Sequence, residues 1–415
     1  MTILHVDANS AYLSWTAVAL LEKGYELDIR TVPSVIAGDP ANRHGIILAR
    51  SGPAKKLGIK TADSLMEARK KCPDILVYPP SYDLYLSYSD CMYELLCEYS
   101  PKVQRYSIDE CFVDYEPLRD APYTAEEAAE QIRKRMKKEL GFTVSIGISA
   151  NKVLAKMAGE LKKPDAVSTI YPKEIAEKLW PLPVTELFMV GRATTKKLEK
   201  MNIHTIGQLA KCDVSLLRAV MKSHGQLVWD YANGIDFSKV IPNKEIPQKS
   251  IGNSNTFAYD VEEREDALHL LLALCERVGL RLRSHGCRAG LVSIHIKTAS
   301  FFHYSHQEKL PVYYSSTDDI FRVVTRLFDQ CWKGEAIRQM GVSVSNLIPE
   351  GEVQMNFLEG AGMAQRERLE SAVDQVRKRF GERAIIRGCF ADGSVAPIQG
   401  GVNEGNYIMM GGYGE

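Results

Sequence analysis

Three carboxylates stand out by their positions. Asp7 closes an apolar run, Ile3 to Val6, that suits a strand. Asp109 and Glu110 sit side by side in YSIDECFVDY (106–115), where Ile108, Cys111, Phe112 and Val113 suit a second, half-buried strand. Successive strand residues point to opposite faces, so both carboxylates reach one site only where the strand bends or ends. Three acidic oxygen donors at strand ends suit a hard cation such as magnesium. Carboxylates this close repel each other, and a metal is their natural counter-charge. Two such ions, about 3.5–4 Å apart, can activate a hydroxyl and stabilise a leaving oxygen in phosphoryl or nucleotidyl transfer. Spacing alone fits a turn-exposed acidic pair without a role equally well.

The surrounding elements must position these groups. TAEEAAEQIRKRMKKELG is an amphipathic helix with Thr124 as N-cap and Gly141 as its stop. TVSIGIS predicts a strand with Val144, Ile146 and Ile148 on one face, and ANKVLAKMAGELKKP a helix ending at Pro164. TADSLMEARKKCP predicts a short helix capped by Thr61 or Asp63. The first 165 residues thus run β, small insert, α, β, α, β, α. That order suits an α+β sheet with helices on one face, similar to a ferredoxin-like core. Residues 166–239 read as almost entirely helical, and NKEIPQKS (243–250) as a linker. Residues 251–346 run β-α-β-β-α-β, a second split-βαβ candidate. One more helix, QRERLESAVDQVRKRF, precedes a Gly-rich tail from about Gly393 that is expected to lack structure.

At roughly 100–200 residues per domain, 415 residues suggest two to four domains. No apolar run is long enough for a membrane span, and the start, MTILHVDANSAYL, is unlike a secretory signal. Nine scattered cysteines read as reduced thiols of a cytoplasmic protein. Lys+Arg and Asp+Glu balance at 52 each, but residues 151–239 hold 14 basic against 9 acidic side chains. A polyanion could track that segment, and so could plain solvent.

VDANSAYLSW, YSIDECFVD and SIGISANKVLAKMAGELKKPDA together resemble the three palm motifs of Y-family, or translesion, DNA polymerases, most of all the bacterial DNA polymerase IV branch. The similarity runs from residue 2 to about 358. It implies a right-hand polymerase: palm 1–11 and 76–165, small fingers 12–75, helical thumb 166–239, linker 240–250, little finger 251–346 and a tail 347–415. Asp7, Asp109 and Glu110 would be the catalytic ligands of two Mg2+ ions, with the backbone carbonyl of Ala8 completing one sphere. Tyr12 matches an aromatic gate against the ribose 2′-hydroxyl, and Lys163 a triphosphate-binding lysine. Lys55 stands where the family carries an arginine, and Gly52 where it carries a tyrosine. Asn9, Ser10 and Ala11 also depart from the usual pattern.

TELFMVGRATTKKLEKMNIHTIGQLA (185–210) resembles a helix-hairpin-helix, a turn that aims backbone N–H groups at a phosphate. Gly191 fits its second glycine and Met189 stands at the first, with Arg192, Lys196 and Lys197 adding charge. QMNFL (354–358) resembles the bacterial sliding-clamp peptide, anchored by Gln354, Met355, Phe357 and Leu358. The resemblance implies an error-prone, DNA-directed DNA polymerase acting as a monomer on primer-template DNA and dNTPs. A non-catalytic DNA-bound scaffold and another palm-type nucleotidyl transferase, such as a cyclase, are the alternatives.

Overall fold

The computed structural model describes residues 2–43, 45–115, 123–352, 360–391, 393 and 395–396. The chain divides into two compact units at Ile246/Pro247, and the short segment Asp39–Gly45 goes with the second.

In the first unit β1 (Ile3–Ala8) leads into α1 (Ala11–Glu22). A small insert follows: β2 (Ser34–Ala37), β3 (Ile47–Arg50), α2 (Gly52–Lys56), α3 (Leu65–Lys71) and β4 (Leu76–Tyr78). Its strands pair in the order β3-β2-β4 around a core that includes Val35, Ile47, Ile59 and Leu65. The cap of α3 is Ser64, not Thr61 or Asp63. Ser64 Oγ accepts the Glu67 N–H while the Glu67 carboxylate accepts the Ser64 N–H, a reciprocal pair for which Thr61 and Asp63 have no Glu or Gln three residues on.

The chain returns through α4 (Tyr82–Cys97), β5 (Val103–Arg105), β6 (Glu110–Asp114), α5 (Ala125–Glu139), β7 (Val144–Ser149), α6 (Lys152–Glu160) and β8 (Val167–Thr169). The main sheet has the order β5-β6-β1-β7-β8 and is antiparallel except between β7 and β8. Helices are not confined to one face of it. Gly147 lies where α6 crosses β7: a Cβ there would stand 1.9 Å from the Ala155 carbonyl oxygen and 2.3 Å from the Gly159 nitrogen. Gly147 shares this face with Ser145 and Ser149, opposite Val144, Ile146 and Ile148. α5 also packs on β7, so all six residues of that strand are buried instead of alternating. α6 ends at Glu160, four residues before Pro164, and Lys163 therefore lies in the loop beyond it.

Past β8 come α7 (Arg192–Lys200), α8 (Ile206–Lys211), α9 (Val214–Met221) and α10 (Ser223–Ala232). They close around Leu179, Leu198, Leu209, Leu217 and Val228.

The second unit runs β9 (Ser250–Val261), α11 (Arg264–Ser284), β10 (Cys287–Thr298), β11 (His303–Tyr314), α12 (Thr317–Cys331) and β12 (Ile337–Pro349). The β-α-β-β-α-β order gives an antiparallel sheet, β11-β10-β12-β9. Val292, Ile294, Ile296, Val342 and Val344 form one core with Leu271 and Leu274 of α11 and Val324 and Phe328 of α12. A last helix, α13 (Gly360–Phe380), is tied to α11 by ion pairs from Arg283 to Glu370 and Asp374 and from Arg377 to Glu276. Phe390 and Val395 join the same core, so the chain keeps structure slightly past Gly393. Among the described residues no helix is long and apolar enough to cross a membrane.

Candidate active site

The sheet register brings two of the three carboxylates together. Asp7 of β1 lies directly opposite Glu110 of β6, and directly opposed antiparallel residues share a face. His5, two residues before Asp7, shares it too. One ligand atom each from His5, Asp7 and Glu110 lie within 4.8 Å of one another. Asp109 precedes the strand, in the turn that begins at Ser107. Its carbonyl accepts the Ala8 N–H at 2.9 Å and its carboxylate accepts the Ser107 hydroxyl at 2.6 Å. β6 thus starts between the two acidic neighbours, which frees Asp109 from the opposite face that a continuous strand would impose.

The helix α6 and its following loop bring two cations to this face. Lys163 Nζ lies 3.0 Å from Asp7 Oδ1 and 2.6 Å from Glu160, and Lys156 Nζ 2.5 Å from Glu110 Oε2. Burial raises the Asp7 carboxyl to about 7; Lys163 opposes the shift while Glu110 and Asp109 add to it. Burial also raises Asp109, against the Ser107 hydrogen bond. Glu110 differs. Burial resists its ionisation, but His5 and Lys156 hold its carboxyl well below the usual range. Burial pushes the His5 imidazole below its ordinary range, and its Nε2 lies 3.2 Å from Glu110 Oε2. Its Nδ1 is buried with no hydrogen-bond partner among the described residues.

His5 and Lys156 are functional candidates that the sequence did not single out. Both were legible in principle. His5 is two residues from Asp7 on a strand, and Lys156 lies on α6, seven residues before the loop lysine Lys163. The phase of α6 against the sheet was the missing piece, and it is fixed by the close crossing at Gly147.

The other predicted positions fall as follows. Tyr12, half-buried in the first turn of α1, stacks on Tyr85 with centroids 4.3 Å apart and planes 6° from parallel, and meets Tyr82 edge-on at 6.2 Å. Ala8 is buried at the end of β1. Asn9 is committed to structure: its amide donates to Thr143 Oγ1 and its oxygen accepts from Ser145 Oγ. Lys55 is exposed on α2 and takes no part in the cluster of Asp7, Glu110 and Lys163. In the hairpin, Met189 adopts a left-handed backbone, φ +70°, at the position where a glycine is usual. Gly191 is the N-cap of α7, with open space where a Cβ would be, and Arg192, Lys196 and Lys197 are exposed around it. Gln354, Met355, Phe357 and Leu358 lie outside the described residues.

The impB/mucB/samB family matches residues 6–160, its C-terminal domain 248–357 and its HHH motif 172–203. The chain is 47% identical to DNA polymerase IV of Clostridium acetobutylicum over 93% of its own length and 97% of that protein. The chain belongs to the DNA polymerase IV family. It is 37% identical to DNA polymerase IV of Acetivibrio thermocellus, again over 93% of its length and 96% of that protein. Its fold is that of a Y-family DNA polymerase chimera of Dbh and Dpo4 (TM-score 0.73, 19% identity, 84% of this chain and all of that one). Membership makes the chain a DNA-directed DNA polymerase of the translesion class, dependent on divalent metal.

Proposed function

We propose that the chain extends a primer by two-metal nucleotidyl transfer, with Asp7, Asp109 and Glu110 holding two Mg2+ ions and the Ala8 carbonyl completing one sphere. The observation that carries this is the Asp7–Glu110 pair across β1 and β6, with Asp109 one residue away. The donors suit the group: three hard oxygen ligands, two of them resisting ionisation because they lie buried beside like charges. When bound, such ions lower the pKa of the primer 3′-hydroxyl and neutralise charge on the departing pyrophosphate. The chain's own groups do the rest. His5 and Lys156 orient Glu110, and Lys163, beside Asp7, meets the triphosphate. Tyr12 lies under the sugar and leaves no room for a 2′-hydroxyl. Lys55 contributes at most a solvated charge to the phosphates.

Primer-template DNA and dNTPs are the substrates. The likeness in fold extends to an insertion ternary complex of Dbh DNA polymerase (TM-score 0.59, 20% identity, 84% of this chain and all of that one). Residues 1–11 and 76–165 would serve as palm together with β8 (Val167–Thr169), which pairs with β7, 12–75 as fingers, the rest of 166–239 as thumb and 251–346 as little finger. Gly191, Arg192, Lys196 and Lys197 would grip a backbone phosphate without regard to sequence. The peptide 354–358 would tether a cytoplasmic, monomeric enzyme to the sliding clamp.

Extension of a labelled primer tests this, on an intact template and on one with an abasic site, with Mg2+ and with EDTA. Mg2+-dependent addition on both templates is expected. Tight binding of the primed DNA without any addition would favour the scaffold instead.

A further inference from the structure

Lys156 does more than pair with Glu110. Its ammonium also lies 5.3 Å from the Tyr106 ring centroid and 5.5 Å from that of Phe188. The two rings meet edge-on at 6.1 Å, Phe188 stacks on Tyr231 at 6.0 Å, and Tyr106 meets Phe112 of β6 at 5.6 Å. Lys156 and Glu110 are both largely shielded, with side-chain exposures of 13% and 17%. A lysine on a four-carbon stem has no fixed ammonium position unless its surroundings supply one. Here an aromatic cage supplies it, and cation–π attraction takes the place of water.

Each wall of the cage comes from a different part of the site. Tyr106 precedes the turn that carries Asp109. Phe188 immediately precedes Met189, whose left-handed backbone forms the hairpin turn before α7. A phosphate gripped at that turn therefore bears on Phe188. At the other end, Lys156 and His5 act on the same oxygen of Glu110, Oε2, and together fix the plane of the carboxylate.

We propose that Lys156 is a positioning residue that couples the phosphate-gripping hairpin to the orientation of Glu110 through the Tyr106–Phe188 cage. This rests on Glu110 being a metal ligand. Displacing Phe188 loosens the ammonium, the carboxylate loses its fixed plane, and insertion slows even where the DNA stays bound.

The test uses the full chain and the variants Lys156→Met, Phe188→Leu and their double, with Glu110→Gln as a separate control. Single-turnover insertion gives the rate, anisotropy the primer-template affinity, and electron paramagnetic resonance the Mn2+ affinity. Lys156→Met should slow insertion about tenfold or more and weaken Mn2+ binding about threefold or more, as loss of a ligand's supporting contact does. Its DNA affinity should stay within about twofold of wild type. Phe188→Leu should slow insertion in the wild-type background but add less than about twofold to Lys156→Met, because the two act through one contact. Wild-type insertion or unchanged or tighter Mn2+ binding in Lys156→Met, or losses that multiply in the double, would overturn the coupling. Full synthesis by Glu110→Gln would instead remove the metal-ligand assignment itself, whatever the cage variants do.

Discussion

Replacing Tyr12 by alanine separates a sugar gate from a core tyrosine. The Tyr12 ring is half-buried, and its main partner is the parallel ring of Tyr85. Tyr85 keeps other supports: its hydroxyl meets Thr16 Oγ1 at 3.2 Å, and Thr16 in turn donates to the Tyr12 carbonyl at 2.7 Å, which alanine retains. The stack is worth about 1 kcal/mol beyond area burial, and half-burial adds about as much again. Tyr12→Ala should therefore cost about 2 kcal/mol of stability, less than the roughly 3–5 kcal/mol of a fully buried aromatic truncated to alanine. Opening room for one hydroxyl should cut discrimination against ribonucleotides by about 10- to 200-fold, or about 1–3 kcal/mol. Insertion of dCTP and CTP opposite the same template guanine gives the ratio of kcat/KM values, and denaturant unfolding gives the stability. Tyr12→Phe should retain the discrimination, since ring bulk rather than the hydroxyl does the excluding. An unchanged ratio in Tyr12→Ala, especially with a stability loss above about 3 kcal/mol, would show Tyr12 to be a core residue only.

Further outcomes are expected elsewhere. Lys163→Met should lower kcat/KM for dNTP insertion about 100-fold through loss of charge at the triphosphate, with primer-template affinity by anisotropy unchanged within about twofold. Met189→Gly should stabilise the chain by about 1 kcal/mol in thermal unfolding, because glycine adopts a left-handed backbone without the Cβ penalty and Met189 is exposed. Asp165 accepts from Arg133 at 2.6 Å and Lys137 at 3.0 Å; burial opposes its ionisation, but these two cations hold its carboxyl below the ordinary range. A depressed folded pKa stabilises above the unfolded value and is lost as pH falls through the folded one. Asp165→Asn should therefore cost about 1 kcal/mol in urea unfolding at pH 7, and the difference should narrow only below about pH 4.

The sequence made some of this site legible and hid the rest for identifiable reasons. Asp7, Asp109 and Glu110 could be found because strand ends and an unusual acidic pair are local features. The β-α-β-β-α-β order of residues 251–346 was likewise written in alternating and helical periods. What depends on two elements meeting was not. The face on which α6 lies is decided by the absence of a Cβ at Gly147, and with it the approach of Lys156 and Lys163. Strand β7 was expected to alternate because its sequence does, but small Ser145 and Ser149 are buried as fully as Ile146. Ser64 outcompeted Thr61 and Asp63 as a cap because Glu67 could answer it. The seating of α13 rests on pairs such as Arg283 with Asp374, 91 residues apart, which no local pattern announces. Met189 weakens the hairpin's signature, because methionine rarely takes a left-handed backbone, but Gly191 and the flanking residues still mark the turn.

Replacing Asp109 by asparagine is the most direct measurement on the metal-binding trio. The substitution keeps the size and an acceptor for the Ser107 hydroxyl while removing the charge. Single-nucleotide insertion at saturating Mg2+ and dNTP should fall by about 1,000-fold or more, about 4 kcal/mol of transition-state stabilisation, with primer-template binding intact. Insertion within about tenfold of wild type, roughly 1.4 kcal/mol, would contradict the assignment of these carboxylates to catalysis.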